Sequence, residues 1–117
     1  MKTDYSCQTG QKLIIKEKGK LHQVDIDQIS LITCSGYVST IYQVNQAEPI
    51  IVSKLLKDFE LELEEMGFFR ANRSTLINLN NLVSYENNGK PTIHMKEDIK
   101  IIISRRKLRI FLNLVAS

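Results

Sequence analysis

The stretch Leu82-Val83-Ser84-Tyr85-Glu86-Asn87-Asn88-Gly89-Lys90-Pro91-Thr92-Ile93-His94-Met95 decides the fold class. Two runs rich in strand-forming residues, 82–85 and 92–95, flank the polar segment 87–90. Asn and Gly accept the positive φ angles of a tight turn at little cost, so Asn88-Gly89 is the strongest short hairpin signal in the chain. The reading is two antiparallel strands joined by this turn.

The same signals recur on both sides of it. Downstream, residues 99–103 are β-branched at every position but Lys100 and predict another strand. Ser104 then offers an N-cap for a helix over about 105–114. Leu108, Phe111, Leu112 and Val115 follow the spacing i, i+3, i+4, i+7, which predicts a buried face. Upstream, Leu55, Leu56, Phe59, Leu63 and Met66 predict a helix over 54–66, with Ser53 as N-cap and Gly67 as the residue that ends it. Glu60, Glu62, Glu64 and Glu65 crowd its C-terminal half, where the helix dipole disfavours them. It reads as a scaffold helix whose acidic side faces away from any polyanion. Further upstream, residues 13–15 and 21–26 flank a turn at 17–20. The cluster Ile29, Leu31 and Ile32 is followed by Ser35-Gly36, a strand over 37–44 and a turn at 46–49. Many short strands at close spacing predict a mainly β, antiparallel chain with short helices, of α+β class. Residues 1–11 lack an apolar period and read as a linker or tag remnant, leaving 12–117 as one domain.

Composition agrees with a single globular unit. Of the 117 residues, 43% are hydrophobic and 25% charged, enough to build a core without staples. Cys7 and Cys34 form no disulfide framework and read as reduced thiols of a cytoplasmic protein. Residues 1–10 are polar, unlike a signal peptide, and no apolar run is long enough to cross a bilayer, so no membrane partner is expected. The net charge of +3 is unevenly placed. Residues 1–53 are neutral, 54–67 carry −3, and 68–117 carry +6. A basic half of this kind suits a polyanionic partner, although a solvated basic surface explains the charge equally well on its own.

Enzyme chemistry finds little support. His22 and His94 are the only histidines, and neither has a Cys or second His at metal-ligand spacing. Phosphate-cradling glycine loops, nucleophile elbows and zinc motifs are missing, so no catalytic residue, metal or cofactor is expected. Two other stretches are informative. Ser104-Arg105-Arg106-Lys107, with Arg109, places positive charge at a helix N-terminus, where it opposes the dipole. That arrangement makes sense if an anion approaches, because first-turn N–H groups point at it too. A helix that begins later would leave the basic run in a loop. Arg70-Ala71-Asn72-Arg73-Ser74-Thr75 frames Asn, Ser and Thr with two arginines. Arg and Asn can read guanine and adenine edges in pairs of hydrogen bonds, and Ser and Thr suit phosphate oxygens. In isolation the stretch is equally a capped turn. Asn78, Asn80 and Asn81 read as turn residues.

Taken together, these residues resemble the LytTR family of DNA-binding domains. Phe69-Arg70-Ala71-Asn72-Arg73-Ser74, followed by Leu76-Ile77-Asn78, is similar to the family's central motif, with Asn72 where His is common. Ile102-Ile103-Ser104-Arg105-Arg106 is similar to its closing strand with Ser-Arg. Residues 29–32 and Gly36-Tyr37-Val38 match its early strand, loop and aromatic strand, with Thr33 where Glu is frequent. The acidic helix ending at Gly67-Phe68 falls where the family has its own, and the ordered match covers about residues 12–115. The resemblance implies elongated, stacked antiparallel sheets whose loops enter the major groove of double-stranded DNA. Carried over position by position, the DNA-facing residues are Tyr37, Ser39, Asn72, Arg73, Ser74, Ser104, Arg105, Arg106 and Lys107. It further implies the output role of a bacterial two-component response regulator: binding at direct-repeat promoter sites, a homodimer on DNA, and a receiver domain and sensor-kinase pathway where the domain is part of a longer protein. Two other readings compete, an RNA binder and a protein-interaction β module. The first needs exposed aromatics for stacking, and only 7% of the residues are aromatic.

Overall fold

The computed structural model describes residues 11–116. Apart from Gln11, the segment read as a linker lies outside the described residues, as does Cys7. The chain begins with a hairpin of β1 (Lys12–Glu17) and β2 (Lys20–Asp25). Next come β3 (Ile29–Ser35), β4 (Val38–Gln43) and β5 (Ile50–Val52). Helix α1 (Leu56–Leu63) leads through a single 3-10 turn to β6 (Phe68–Asn72) and β7 (Thr75–Asn78). The decisive hairpin forms as β8 (Leu82–Asn87) and β9 (Pro91–Met95), with Gly89 at φ 98° in its turn. Strand β10 (Ile99–Ile102) and helix α2 (Arg105–Ala116) close the fold.

All strand pairing is antiparallel. A central sheet has the order β5-β4-β3-β7-β6, and a second has the order β10-β9-β8. The middle of the central sheet, strands β3 and β7, is buried on both faces, and the period-2 geometry of a strand sends neighbouring residues to opposite cores. Ile32, Leu76 and Phe68 face one core, with Ile15 and Val24 of the first hairpin and Phe59 and Leu63 of α1. Leu31, Ile77 and Phe69 face the other, with Ile93, Met95, Ile103 and Phe111. Burial on both sides explains why β7 is enclosed at every position instead of alternating.

Two local expectations are corrected and a third gains a second role. Helix α1 starts later than its periodicity suggests. Leu55, not Ser53, stands at the N-cap, with extended backbone and no side-chain cap. The Lys54 carbonyl just before it accepts a hydrogen bond from Ser39 on β4, which ties the entering chain to the sheet. Leu55 is accordingly exposed. In α2 only Phe111 is fully buried, and Leu112 and Val115 are 38% and 44% exposed. Phe111 inserts between Phe69 and Tyr85, with ring centroids 5.9 and 5.5 Å away, and beyond it the helix outruns the surface it packs on. Asn78 and Asn81 stand at the turn Leu79–Asn81 as expected, the Asn78 Oδ1 accepting from the Asn80 N–H at 3.0 Å, and both are buried. The Asn78 Nδ2 donates to the Ile26 and Ile29 carbonyls at 3.3 and 2.9 Å. The Asn81 Nδ2 donates to those of Asp27 and Ile29 at 3.1 and 2.8 Å. The two amides thereby satisfy the backbone of the 3-10 turn Ile26–Gln28 that joins β2 to β3.

Candidate nucleic-acid interface

The strand register brings the sequence-predicted segments to one end of the molecule. Strands β3 and β4 pair from Ile29↔Gln43 to Ser35↔Val38, so their turn at Gly36-Tyr37 marks that end. Thr33 pairs with Thr75, and the Cys34 N–H donates to the Ser74 carbonyl at 3.0 Å, setting the β6–β7 turn beside it. The Ser104 N–H in turn donates to the Ala71 carbonyl at 3.0 Å, and the Asn72 Nδ2 donates to the Ile102 carbonyl at 2.8 Å. These bonds join the β6–β7 turn to the start of α2. Segments that are far apart in the chain thus become neighbours through backbone hydrogen bonds, the rigid kind of support a recognition surface needs.

Within this end the residues divide by task. Tyr37 is 80% exposed, and Arg73, Ser74, Arg105 and Arg106 are exposed as well. Among the described residues none of Arg73, Arg105 and Arg106 has a carboxylate partner. Asn72 is half-buried and structural. Its Oδ1 accepts from the Ser74 N–H at 3.0 Å and from the Ser74 hydroxyl at 3.3 Å, while its Nδ2 holds Ile102. Asn72 therefore braces the turn that carries Arg73. Lys107 is half-buried, its ammonium 5.9 Å from the centre of the Phe69 ring, a cation–π approach on the flank of α2. Ser104 is half-buried, and its carbonyl accepts the Lys107 N–H at 3.0 Å in the first turn of α2.

Ser39 does not belong to the exposed set and is withdrawn from it. It is completely buried, and its hydroxyl is engaged with the Lys54 carbonyl at 2.5 Å. The alternation of β4 explains this: Tyr37 sits in the turn, and two residues on, Ser39 already points inward.

One residue missed as a site component is Arg70. Its Nη1 pairs with Glu60 of α1 at 2.8 Å, its Nε donates to the Asn72 carbonyl at 3.1 Å, and its Nη2 donates to the Arg73 carbonyl at 2.5 Å. A single guanidinium thus grips the turn from beneath, with α1 as its anchor. The available signal was the lone acidic helix lying next in the chain, whose carboxylates need cations.

Glu60 and Glu62 of α1 pair with Arg70 and Lys54, and the turn carrying Glu97 and Asp98 lies at the opposite end of β9 from the basic tip. The apolar aromatics Phe59, Phe68, Phe69 and Phe111 are all buried, so among the described residues the end offers one exposed aromatic, Tyr37, rather than a stacking platform. Among the described residues no group of three or more His, Cys, Asp or Glu side chains gathers in a metal-binding arrangement, and no helix is long and apolar enough to cross a membrane.

A sequence model of the LytTr DNA-binding domain matches residues 19–116. The fold is similar to a solved LytTr DNA-binding domain from Bacillus cereus, of a protein described as a methyl-accepting/DNA response regulator. The TM-score is 0.75 at 15% identity, over 91% of this chain and 97% of that one. The sequence matches no curated protein.

Proposed function

This chain belongs to the LytTR family of DNA-binding domains, and we propose that it binds double-stranded DNA sequence-specifically as the output domain of a bacterial transcription regulator. The observation that carries the reading is the meeting of three segments, distant in sequence, at one basic, carboxylate-poor end. In this reading loops and a helix N-terminus, rather than a recognition helix laid along the groove, enter the major groove. Arg73 and Arg106 are the side chains that reach base edges, since a guanidinium offers the paired donors that guanine O6 and N7 accept. Tyr37, Ser74, Ser104 and Arg105 contact sugar and phosphate. Asn72 holds the loop in position, and Lys107 adds positive charge at its flank. The regulatory setting proposed is that of a two-component response regulator, with pairs of domains on direct repeats. The domain itself performs no catalysis in this account.

The test is equilibrium binding to a duplex recovered by selection from a randomised library, followed by fluorescence anisotropy across a salt series. Each phosphate neutralised contributes about 0.9 to the slope of log affinity against log salt, so a steep fall is expected. A flat salt dependence, or equal affinity for scrambled duplexes, overturns the proposal. Tighter binding to the single strand than to the duplex favours the RNA-like mode instead.

A further inference from the structure

The turn between β8 and β9 lies at the same end as the interface, although no sequence signal assigned it there. Pro91 pairs with Asn87, Thr92 pairs with Ile102, and the Ile103 N–H donates to the Pro91 carbonyl at 3.0 Å. The Ile103–Pro91 and Ser104–Ala71 hydrogen bonds set the β8–β9 turn beside the start of α2 and the β6–β7 turn at this end, while the β10-β9-β8 sheet packs against a face of the central sheet. Lys90 ends the β8–β9 turn, directly before Pro91. Lys90 is exposed, its backbone is fixed by the Thr92 hydroxyl donating to its carbonyl at 3.0 Å, and among the described residues it has no carboxylate partner. The only acidic residue of this hairpin, Glu86, stands 3.5 Å from His94.

We infer that the β8–β9 turn is a fourth DNA-contacting loop, in which Lys90 meets a backbone phosphate flanking the bases read by Arg73 and Arg106. The inference rests on the DNA-binding reading above. Its occupant is the same duplex, continued past the central contacts. A lysine ammonium is a point charge without the paired, planar donors of a guanidinium, so it suits a backbone phosphate better than a base edge. Lys90 therefore adds affinity without sequence preference, and fixes how much flanking DNA the domain requires.

The experiment compares wild type, Lys90→Ala and Lys96→Ala on the selected duplex, and on duplexes trimmed stepwise from each side. Lys96 is equally exposed and carries the same charge, but sits at the far end of β9, so it controls for net charge. Lys90→Ala is expected to weaken binding about two- to fivefold on matched and mismatched sites alike, and to lower the salt slope by about 0.9. Trimming one flank should weaken wild type and leave Lys90→Ala unchanged, while Lys96→Ala should follow wild type throughout. Wild-type binding with Lys90→Ala indistinguishable from it overturns this inference alone. Equal losses for Lys90→Ala and Lys96→Ala also overturn it, since the charge then acts without a location. No wild-type binding to any duplex overturns the inference together with the DNA-binding reading.

Discussion

At the β6–β7 turn two arginines three residues apart take different roles. Arg70 is directed inward, to Glu60 and to two turn carbonyls, whereas Arg73 is exposed and has no carboxylate partner among the described residues. The sequence shows both as basic residues in a polar motif, and the pairing across to α1 is what separates them. Arg73→Ala should weaken binding to the selected duplex by about 1–3 kcal/mol, and relax preference at one base position, with unfolding unchanged. Competition binding against single-base variants reads the first effect and thermal denaturation the second; unchanged preference would reduce Arg73 to a phosphate contact. Asn78 is the converse case. Its amide serves buried carbonyls of the β2–β3 turn, so Asn78→Ala should destabilise the fold by about 1–3 kcal/mol through unsatisfied backbone. Chemical denaturation checks it, and an unchanged midpoint would mean that the turn finds other partners. An Asn between apolar strands looks like punctuation in sequence. Only the tertiary arrangement reveals that the turn it serves is some fifty residues upstream.

Helix α2 illustrates how local pattern and tertiary packing divide an element between them. Its apolar spacing correctly predicts a helix anchored at Phe111, but not where the supporting surface stops, so Leu112 and Val115 emerge exposed. Periodicity reports which face is apolar. It does not report how far a neighbouring sheet extends beneath that face. The basic first turn was legible because it runs against the dipole, and Arg105 and Arg106 are indeed exposed there. Lys107 differs from them, since it lies against the Phe69 ring. The cleaner variant is therefore Arg105→Ala with Arg106→Ala, leaving Lys107 in place. Binding should fall at least tenfold, while the melting temperature stays level or rises slightly as two unfavourable charges leave the helix start. A marked drop in melting temperature would assign these arginines to the fold, and unaltered affinity would move the binding surface elsewhere.

At the scale of the whole molecule, antiparallel class, short helices and the basic half were all readable from turn residues, periodicity and charge placement. The order of strands was not. Nothing local states that β3 sits beside β7, or that Ser104 bonds to Ala71, because those pairings are selected by burying two cores at once. Those same pairings bring together the residues of the proposed interface, and set the β8–β9 turn beside them. The most direct test of that gathering is amide shift mapping by nuclear magnetic resonance, titrating the domain with the selected duplex. The account predicts changes concentrated at Gly36-Tyr37, at Arg73-Ser74 and over residues 104–107, with little response in α1 or in the turns around Asn45 and Glu97, which hydrogen-bond to each other at the far end. Changes centred on α1 or on that far end, with the three predicted segments silent, would contradict it.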